Sequence, residues 1–331
     1  MGGTAYIDRK DAELRLDGSA LAVYVNGERE GVIPLVPLDR LVLIGNLTVE
    51  TKALHRLNEE GVAVLFLSGK RQAFRGRLMG RLHRHARLRT RQYEQRQGAL
   101  PLELARGWVG RKLAGQEAFL RDAAVERPED RSILLRSAEI VARAGAKAPE
   151  AASVESLRGL EGGAAAAYFD ALPVLFPPSP PSLEFAGRGR RPPRDPVNAL
   201  LSLTYTMVHW EWVRECELIG LDPMVGLYHD LDYGRESLAC DLVEPVRPDV
   251  DRWVWELCRT RAFEGRDFSS DGERPGCYLK KGARGRFYEA YEGWAGPRRS
   301  AMRAETEALA RRILDGEDPL FLRTSGDAGD A

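Results

Sequence analysis

The feature that most constrains this chain is a change of hydrophobic period at about Arg91. Before it, apolar residues come in short runs such as Leu21-Ala22-Val23-Tyr24-Val25, Leu41-Val42-Leu43-Ile44 and Val62-Ala63-Val64-Leu65-Phe66-Leu67. Turn pairs bound them: Asp17-Gly18, Asn26-Gly27, Gly45-Asn46 and Ser68-Gly69. Runs of that length between such pairs predict strands. One helix interrupts them, around Ala53-Leu54-His55-Arg56-Leu57 and ending before Gly61. After Arg91, apolar residues recur three and four apart in stretches rich in Ala, Leu, Glu and Arg, which predicts helices. The expected spans are 102–124, 132–144, 153–172, 196–217, 237–257 and 285–314. The expected fold is therefore α+β: a small N-terminal β-rich domain over residues 1–90, then a larger all-α domain over 91–331.

The 331 residues are 44% hydrophobic and 30% charged, a composition that excludes a disordered chain. No apolar run approaches the ~20 residues of a membrane span, and the first residues lack a signal-peptide core, so a cytoplasmic protein is expected. Cys216, Cys240, Cys258 and Cys277 include no closely spaced pair, so they are expected as free thiols. Net charge is zero, yet Lys70, Arg71, Arg75, Arg77, Arg81, Arg84, Arg87, Arg89, Arg91 and Arg96 face a single acid, Glu94, within one segment. Such a segment is either a phosphate-binding face or a solvated surface.

Three places in the helical half carry groups suited to a hard divalent cation. Glu161 precedes an alanine run that lets another element approach it. His229 follows Gly226-Leu227-Tyr228 in a loop. Asp241 and Glu244 stand three apart, which on a helix puts both on one face. Carboxylates with an imidazole suit Mg²⁺ or Mn²⁺. Taken singly, each of these residues has an ordinary structural explanation.

Their context is more specific. Gly226-Leu227-Tyr228-His229 leads to Gly234-Arg235-Glu236-Ser237-Leu238-Ala239-Cys240-Asp241-Leu242-Val243-Glu244-Pro245-Val246-Arg247-Pro248. Upstream stand Arg188-Gly189-Arg190-Arg191-Pro192-Pro193-Arg194-Asp195-Pro196-Val197-Asn198-Ala199-Leu200-Leu201-Ser202 and Leu160-Glu161-Gly162. Together these segments resemble the CRISPR-associated integrase family called Cas-one. Weaker similarity runs through Ile33-Pro34-Leu35 and Gly76-Arg77. Gly115, Gly189 and Val246 depart from the family pattern, none of them at a metal ligand.

The resemblance implies an enzyme of CRISPR adaptation, a metal-dependent DNA endonuclease and integrase that inserts short DNA fragments into a CRISPR array. It implies Glu161, His229 and Glu244 as ligands of Mg²⁺ or Mn²⁺, with Asp241 beside them among the catalytic residues, either orienting a ligand or contacting a further ion. Arg188, Arg190, Arg191, Arg194, Arg235, Arg247 and Asn198 become candidate DNA contacts. Asn198 can instead cap a helix, and Ser237 can cap the helix of Asp241 and Glu244. Tyr205 and Trp210 read as core residues, and His55, His83, His85 and His209 receive no catalytic role. Expected partners are double-stranded DNA fragments and array DNA, a second copy of the chain and a small Cas-two dimer, with the β-rich domain mediating dimerisation and partner contacts. The competing functions are a general metal-dependent DNase and a non-catalytic DNA-binding scaffold.

Overall fold

Two four-stranded sheets form from the short apolar runs of the N-terminal part. The structure, a computed structural model, describes residues 2–79, 85–176, 183, 185, 187–189, 192–270 and 276–314. The strands are β1 (Gly3–Ile7), β2 (Ala12–Asp17), β3 (Ala20–Val25), β4 (Glu28–Pro34), β5 (Leu38–Ile44) and β6 (Thr48–Val49). Helix α1 (Thr51–Glu59) follows, then β7 (Ala63–Leu67) and β8 (Phe74–Leu78). One sheet has the order β1-β5-β7-β8 and the other β4-β3-β2-β6. Asn26 and Gly27 turn β3 into β4 with φ of 54° and 84°. A two-residue hairpin needs that positive pair, which is why Asn-Gly stands there.

Strand β5 joins the two halves of the molecule. Its side chains alternate between faces. Leu41 and Leu43 enter the core between the sheets with Leu14, Leu21 and Leu57. Val42 and Ile44 enter the helical core instead. The strand is therefore buried on both sides, and the sheet packs onto the helices as one continuous interior.

The helical part comprises α2 (Ala86–Gln95), α3 (Leu100–Glu126), α4 (Arg131–Lys147), α5 (Val154–Ala171), α6 (Pro196–Ile219), α7 (Ser237–Val243), α8 (Arg247–Arg259), α9 (Lys281–Ala295) and α10 (Arg299–Ile313). Between α8 and α9, β9 (Phe268–Ser270) and β10 (Cys277–Leu279) form an antiparallel hairpin, so this region is predominantly rather than wholly helical. Helix α6 is its axis, with Val197, Leu200, Leu201, Thr204, Val208, Trp212 and Cys216 all buried. Gly220 ends α6 at φ 97°, the left-handed cap that favours glycine.

Two expected helices are each broken in two. The span 237–257 divides at a 3₁₀ turn, Glu244–Val246, because Pro245 has no N–H for the helical ladder. The span 285–314 divides at Gly296–Arg298 around Pro297 for the same reason. All four cysteines are free thiols. Among the described residues no helix is long and apolar enough to cross a membrane.

A buried ionic network ties the first sheet to the helices. Arg40 on β5 bonds Glu211 at 2.9 Å, and Arg299 bonds both Glu211 and Glu292 at 2.7 Å. Tyr6 on β1 donates to Glu292 at 2.6 Å and stacks on Tyr288, with ring centroids 4.3 Å apart. Breaking such a pair leaves an uncompensated buried charge, at a cost of roughly 3–5 kcal/mol. Arg299→Ala is expected to lower the unfolding free energy by about 3 kcal/mol. Urea titration followed by circular dichroism checks this, and an unchanged midpoint would show the network to be energetically idle.

Candidate active site

Glu161, His229, Asp241 and Glu244 come together where α5, the loop before α7 and the turn after α7 meet α3. Asp241 is fully buried. Its Oδ2 accepts the backbone N–H groups of Leu227 at 2.6 Å and Tyr228 at 3.0 Å. Its Oδ1 accepts the His229 N–H at 2.8 Å and His229 Nδ1 at 2.7 Å. A carboxylate with both oxygens engaged this way folds the loop around itself and fixes the ring. These bonds suit Asp241 to orienting His229, one of the two roles expected of it. Because Nδ1 donates to Asp241, the other ring nitrogen is turned toward Glu244, with Nε2 3.9 Å from Oε1. The three-residue spacing thus delivers one acid to each nitrogen of a single imidazole.

The loop reaches this shape through close backbone packing. A Cβ on Gly226 would sit 2.7 Å from Ser237 Cβ and 2.9 Å from the His229 carbonyl. Ser237 does not cap α7; the cap position is Glu236, which makes no side-chain cap bond. The Ser237 hydroxyl instead donates to the Asp230 carbonyl at 2.8 Å, pinning the residue after His229. Arg158 holds the same loop by donating to the Tyr228 carbonyl at 2.6 Å and to Asp230 at 2.9 Å.

Two groups that the sequence reading passed over complete the cluster. The Lys112 ammonium donates to Glu161 Oε1 and, at 2.6 Å, to Glu244 Oε2. The Tyr228 hydroxyl donates to Glu161 Oε2. Arg247 Nε bonds the remaining Glu244 oxygen, Oε1, at 2.8 Å. Burial alone would raise the Glu244 pKa, but Arg247 and Lys112 outweigh it and hold the carboxyl at about 2. Burial and the Glu161 carboxylate push the Tyr228 phenol well above its usual range. A signal for Lys112 was present in α3, where Lys112 and Gln116 interrupt the buried stripe of Ala105, Trp108, Val109, Phe119 and Ala123. A Cβ on Gly115 would lie 3.0 Å from Pro248. The glycine at this departure from the family pattern lets α3 approach the start of α8 closely.

Among the described residues no three His, Cys, Asp or Glu side chains already stand in metal-holding geometry. The Lys112 ammonium lies between Glu161 and Glu244. The donor set itself fits a hard divalent ion: two carboxylates gathered on one cation, with an imidazole edge turned toward them.

Beside the cluster lies a cleft of about 1000 Å³ bordered by Arg188, Arg235, Arg247, Tyr205, Trp210 and Tyr278. Arg247 stands between cleft and cluster, bonded to Glu244 and lying 5.0 Å from the Tyr205 ring centroid. Arg188 covers the same ring at 5.1 Å. Arg194 is exposed, while Arg190 and Arg191 lie outside the described residues. Burial would raise the Cys240 thiol pKa, but the neighbouring His209 and Arg235 outweigh it and lower it. Trp210 stacks on Phe74 at 3.8 Å.

Asn198 is not the cap of α6. Asp195 caps α6 by accepting the Asn198 N–H at 2.7 Å. The Asn198 side chain is buried and bonds the Gly187 carbonyl at 2.9 Å and the Gly189 N–H at 3.3 Å. It shapes the segment that carries Arg188.

The basic segment at 70–96 is not a uniform phosphate face. Arg77 bonds Glu217 at 2.7 Å and Glu236 at 3.1 Å, Arg91 bonds Glu94 at 2.9 Å, and Arg96 donates to the Gly226 carbonyl at 3.1 Å. Arg81, His83 and Arg84 lie outside the described residues.

Residues 5–293 match the family model described as CRISPR associated protein Cas1. The chain is 44% identical over 321 residues to the CRISPR-associated endonuclease Cas1 1 of Thermodesulfovibrio yellowstonii, across 95% of this chain and 98% of that protein. Its fold is similar to that of a Cas1 protein from Thermotoga maritima, with a TM-score of 0.80 at 22% identity over 96% of this chain and 98% of the other. It is also similar to a casposase bound to its integration product, with a TM-score of 0.77 at 19% identity over 97% of this chain and 92% of that one.

Proposed function

The chain belongs to the Cas1 family and is a CRISPR-associated endonuclease of the adaptation machinery; from that premise we propose that Glu161, His229 and Glu244 hold the divalent ion of its strand-transfer site. The observation that carries this reading is the convergence of Glu161 and Glu244 on one cation with the Nε2 edge of His229 beside them. Mg²⁺ or Mn²⁺ bound there would polarise the phosphodiester under attack and stabilise its developing charge.

The protein's own groups do the rest. Asp241 fixes the ring of His229, so Nε2 presents its edge without reorganisation. Arg247 and Arg188 offer guanidinium groups to phosphates entering the cleft, and Arg235 lines its wall. A fragment's 3′-hydroxyl would attack an array phosphodiester and displace a 3′-hydroxyl of that strand. Water at the same position would give hydrolysis, so one site serves integrase and endonuclease. The casposase that shares this fold is bound to an integration product, which supports the strand-transfer reading.

The test supplies a duplex with a 3′-hydroxyl as donor and a repeat-containing duplex as target, with Mn²⁺ or Mg²⁺. Branched product that disappears with chelator is expected. Cleavage of both strands without any branched product would leave a general DNase.

DNA binding itself should depend on the cleft's cations. Arg188→Glu with Arg194→Glu is expected to weaken duplex binding about tenfold at low salt and to shrink the slope of affinity against salt. Fluorescence anisotropy at several salt concentrations reads both, and an unchanged slope would remove the clamp.

Integration at two separated positions needs two active sites held apart. We therefore assign the first ~90 residues to homodimerisation and to contact with a small Cas2 dimer, as the family resemblance implies. Light scattering should return twice the 36.8 kDa of one chain. Monomer at micromolar concentration would sink this assembly.

A further inference from the structure

Lys112 lies deeper than a lysine usually sits. Its side chain is 9% exposed, and it belongs to the buried face of α3 between Trp108 and Gln116. Lysine is seldom held there without a partner. Lys112 has two, Glu161 Oε1 and Glu244 Oε2. The acids' other oxygens are taken, Glu161 Oε2 by the Tyr228 hydroxyl and Glu244 Oε1 by Arg247. Each acid therefore presents to the centre of the cluster the oxygen that Lys112 occupies. Hard divalent ions bind such oxygens at about 2.0–2.6 Å. An ammonium and a divalent ion cannot share that place, because they compete for the same lone pairs and repel one another.

We infer that Lys112 is a tethered counter-ion that exchanges with the divalent metal: its ammonium keeps Glu161 and Glu244 converged before metal binds, and it withdraws when metal takes its place. The inference rests on the reading of Glu161, His229 and Glu244 as ligands. It assigns Lys112 a positioning role, acting through the two acids. The exchange keeps the buried Glu244 and the half-buried Glu161 from facing each other without a cation between them. It also weakens metal affinity, since each binding event must displace the ammonium. A fixed structural ion pair would behave differently, staying in place whether metal is bound or not.

The experiment uses the full-length protein and reads binding, not turnover. Mn²⁺ is titrated into wild type, K112M and E244Q, with free Mn²⁺ followed by electron paramagnetic resonance and melting recorded in chelator and in Mn²⁺. K112M keeps the stem and removes the charge. It should bind Mn²⁺ at least about tenfold more tightly than wild type, a gain of about 1.4 kcal/mol. It should also melt several degrees lower in chelator and recover in Mn²⁺. In parallel, reductive methylation of Lys112 in the wild type is followed by peptide mass spectrometry with and without Mg²⁺. Mg²⁺ should speed labelling severalfold, and E244Q should abolish that acceleration. This second readout decides alone if K112M does not fold. Folded K112M that binds Mn²⁺ no more tightly than wild type, or unchanged labelling in a wild type that does bind metal, overturns the exchange and leaves the ligand reading standing. Wild type that binds no Mn²⁺ overturns the ligand reading, and the exchange with it.

Discussion

His229→Ala should abolish strand transfer while leaving the protein as stable as wild type. Its ring is partly exposed, and among the described residues its side chain packs beside Tyr228 and meets Asp241 and Glu244. Loss of one preorganised electrostatic group lowers rates by about 100- to 1000-fold, and loss of a ligand should reach at least the upper end. The branched-product assay with the 3′-hydroxyl donor measures this. Glu161→Ala and Glu244→Ala should be equally inactive, but Glu244→Ala should not be stability-neutral. Its carboxylate is buried between Lys112 and Arg247. Removing it leaves Arg247 without its carboxylate and Lys112 with Glu161 alone, at a cost of roughly 3–5 kcal/mol. Glu244→Gln keeps the volume and part of the hydrogen bonding, so it separates chemistry from folding. DNA affinity should survive in all of these variants, because phosphate binding comes from arginine and lysine. Wild-type joining by either the Glu161 or the His229 variant would discard the proposed site.

Asp241→Ala should cost both activity and fold. The carboxylate accepts three backbone N–H groups and the His229 ring, all from one loop. Without it those donors lie unpaired around a buried hole. Each stranded donor costs about 1–3 kcal/mol, so a loss of at least about 3 kcal/mol is expected. Strand transfer should fall as far as in His229→Ala, since an unanchored ring no longer presents Nε2. The double variant should be no less active than either single one, the mark of two residues acting as a unit. Denaturant titration and the joining assay read the two effects separately. Asp241→Ala with wild-type stability would show that the loop finds its shape without the carboxylate.

Much of this protein is legible from residue order. Asn26-Gly27 specifies its turn because only residues tolerant of positive φ fit a two-residue hairpin. The change of period near Arg91 separates strands from helices because each element shows its own repeat along the chain. Pro245 and Pro297 mark the breaks in two long helices, yet apolar periodicity runs straight across both and hides them. The acids and the histidine stand out because they sit in specific segments, and their three-residue spacing already places Asp241 and Glu244 on one side.

What periodicity cannot encode is the partner. It reports which face of an element is apolar, not what covers that face. Val42 and Leu43 look alike in sequence, but they point into different interiors because the sheet has helices on one side and a second sheet on the other. Arg77 and Arg96 look like phosphate ligands until the fold brings Glu217, Glu236 and the Gly226 carbonyl to them. Lys112 is visible as a charge in an apolar stripe. Only the packing of α3 against α5 and the turn after α7 decides that it meets two acids 49 and 132 residues away along the chain. The chain thus determines its elements and its chemically able side chains by local rules. The tertiary structure determines which charges neutralise which, because that depends on contacts between segments far apart in sequence.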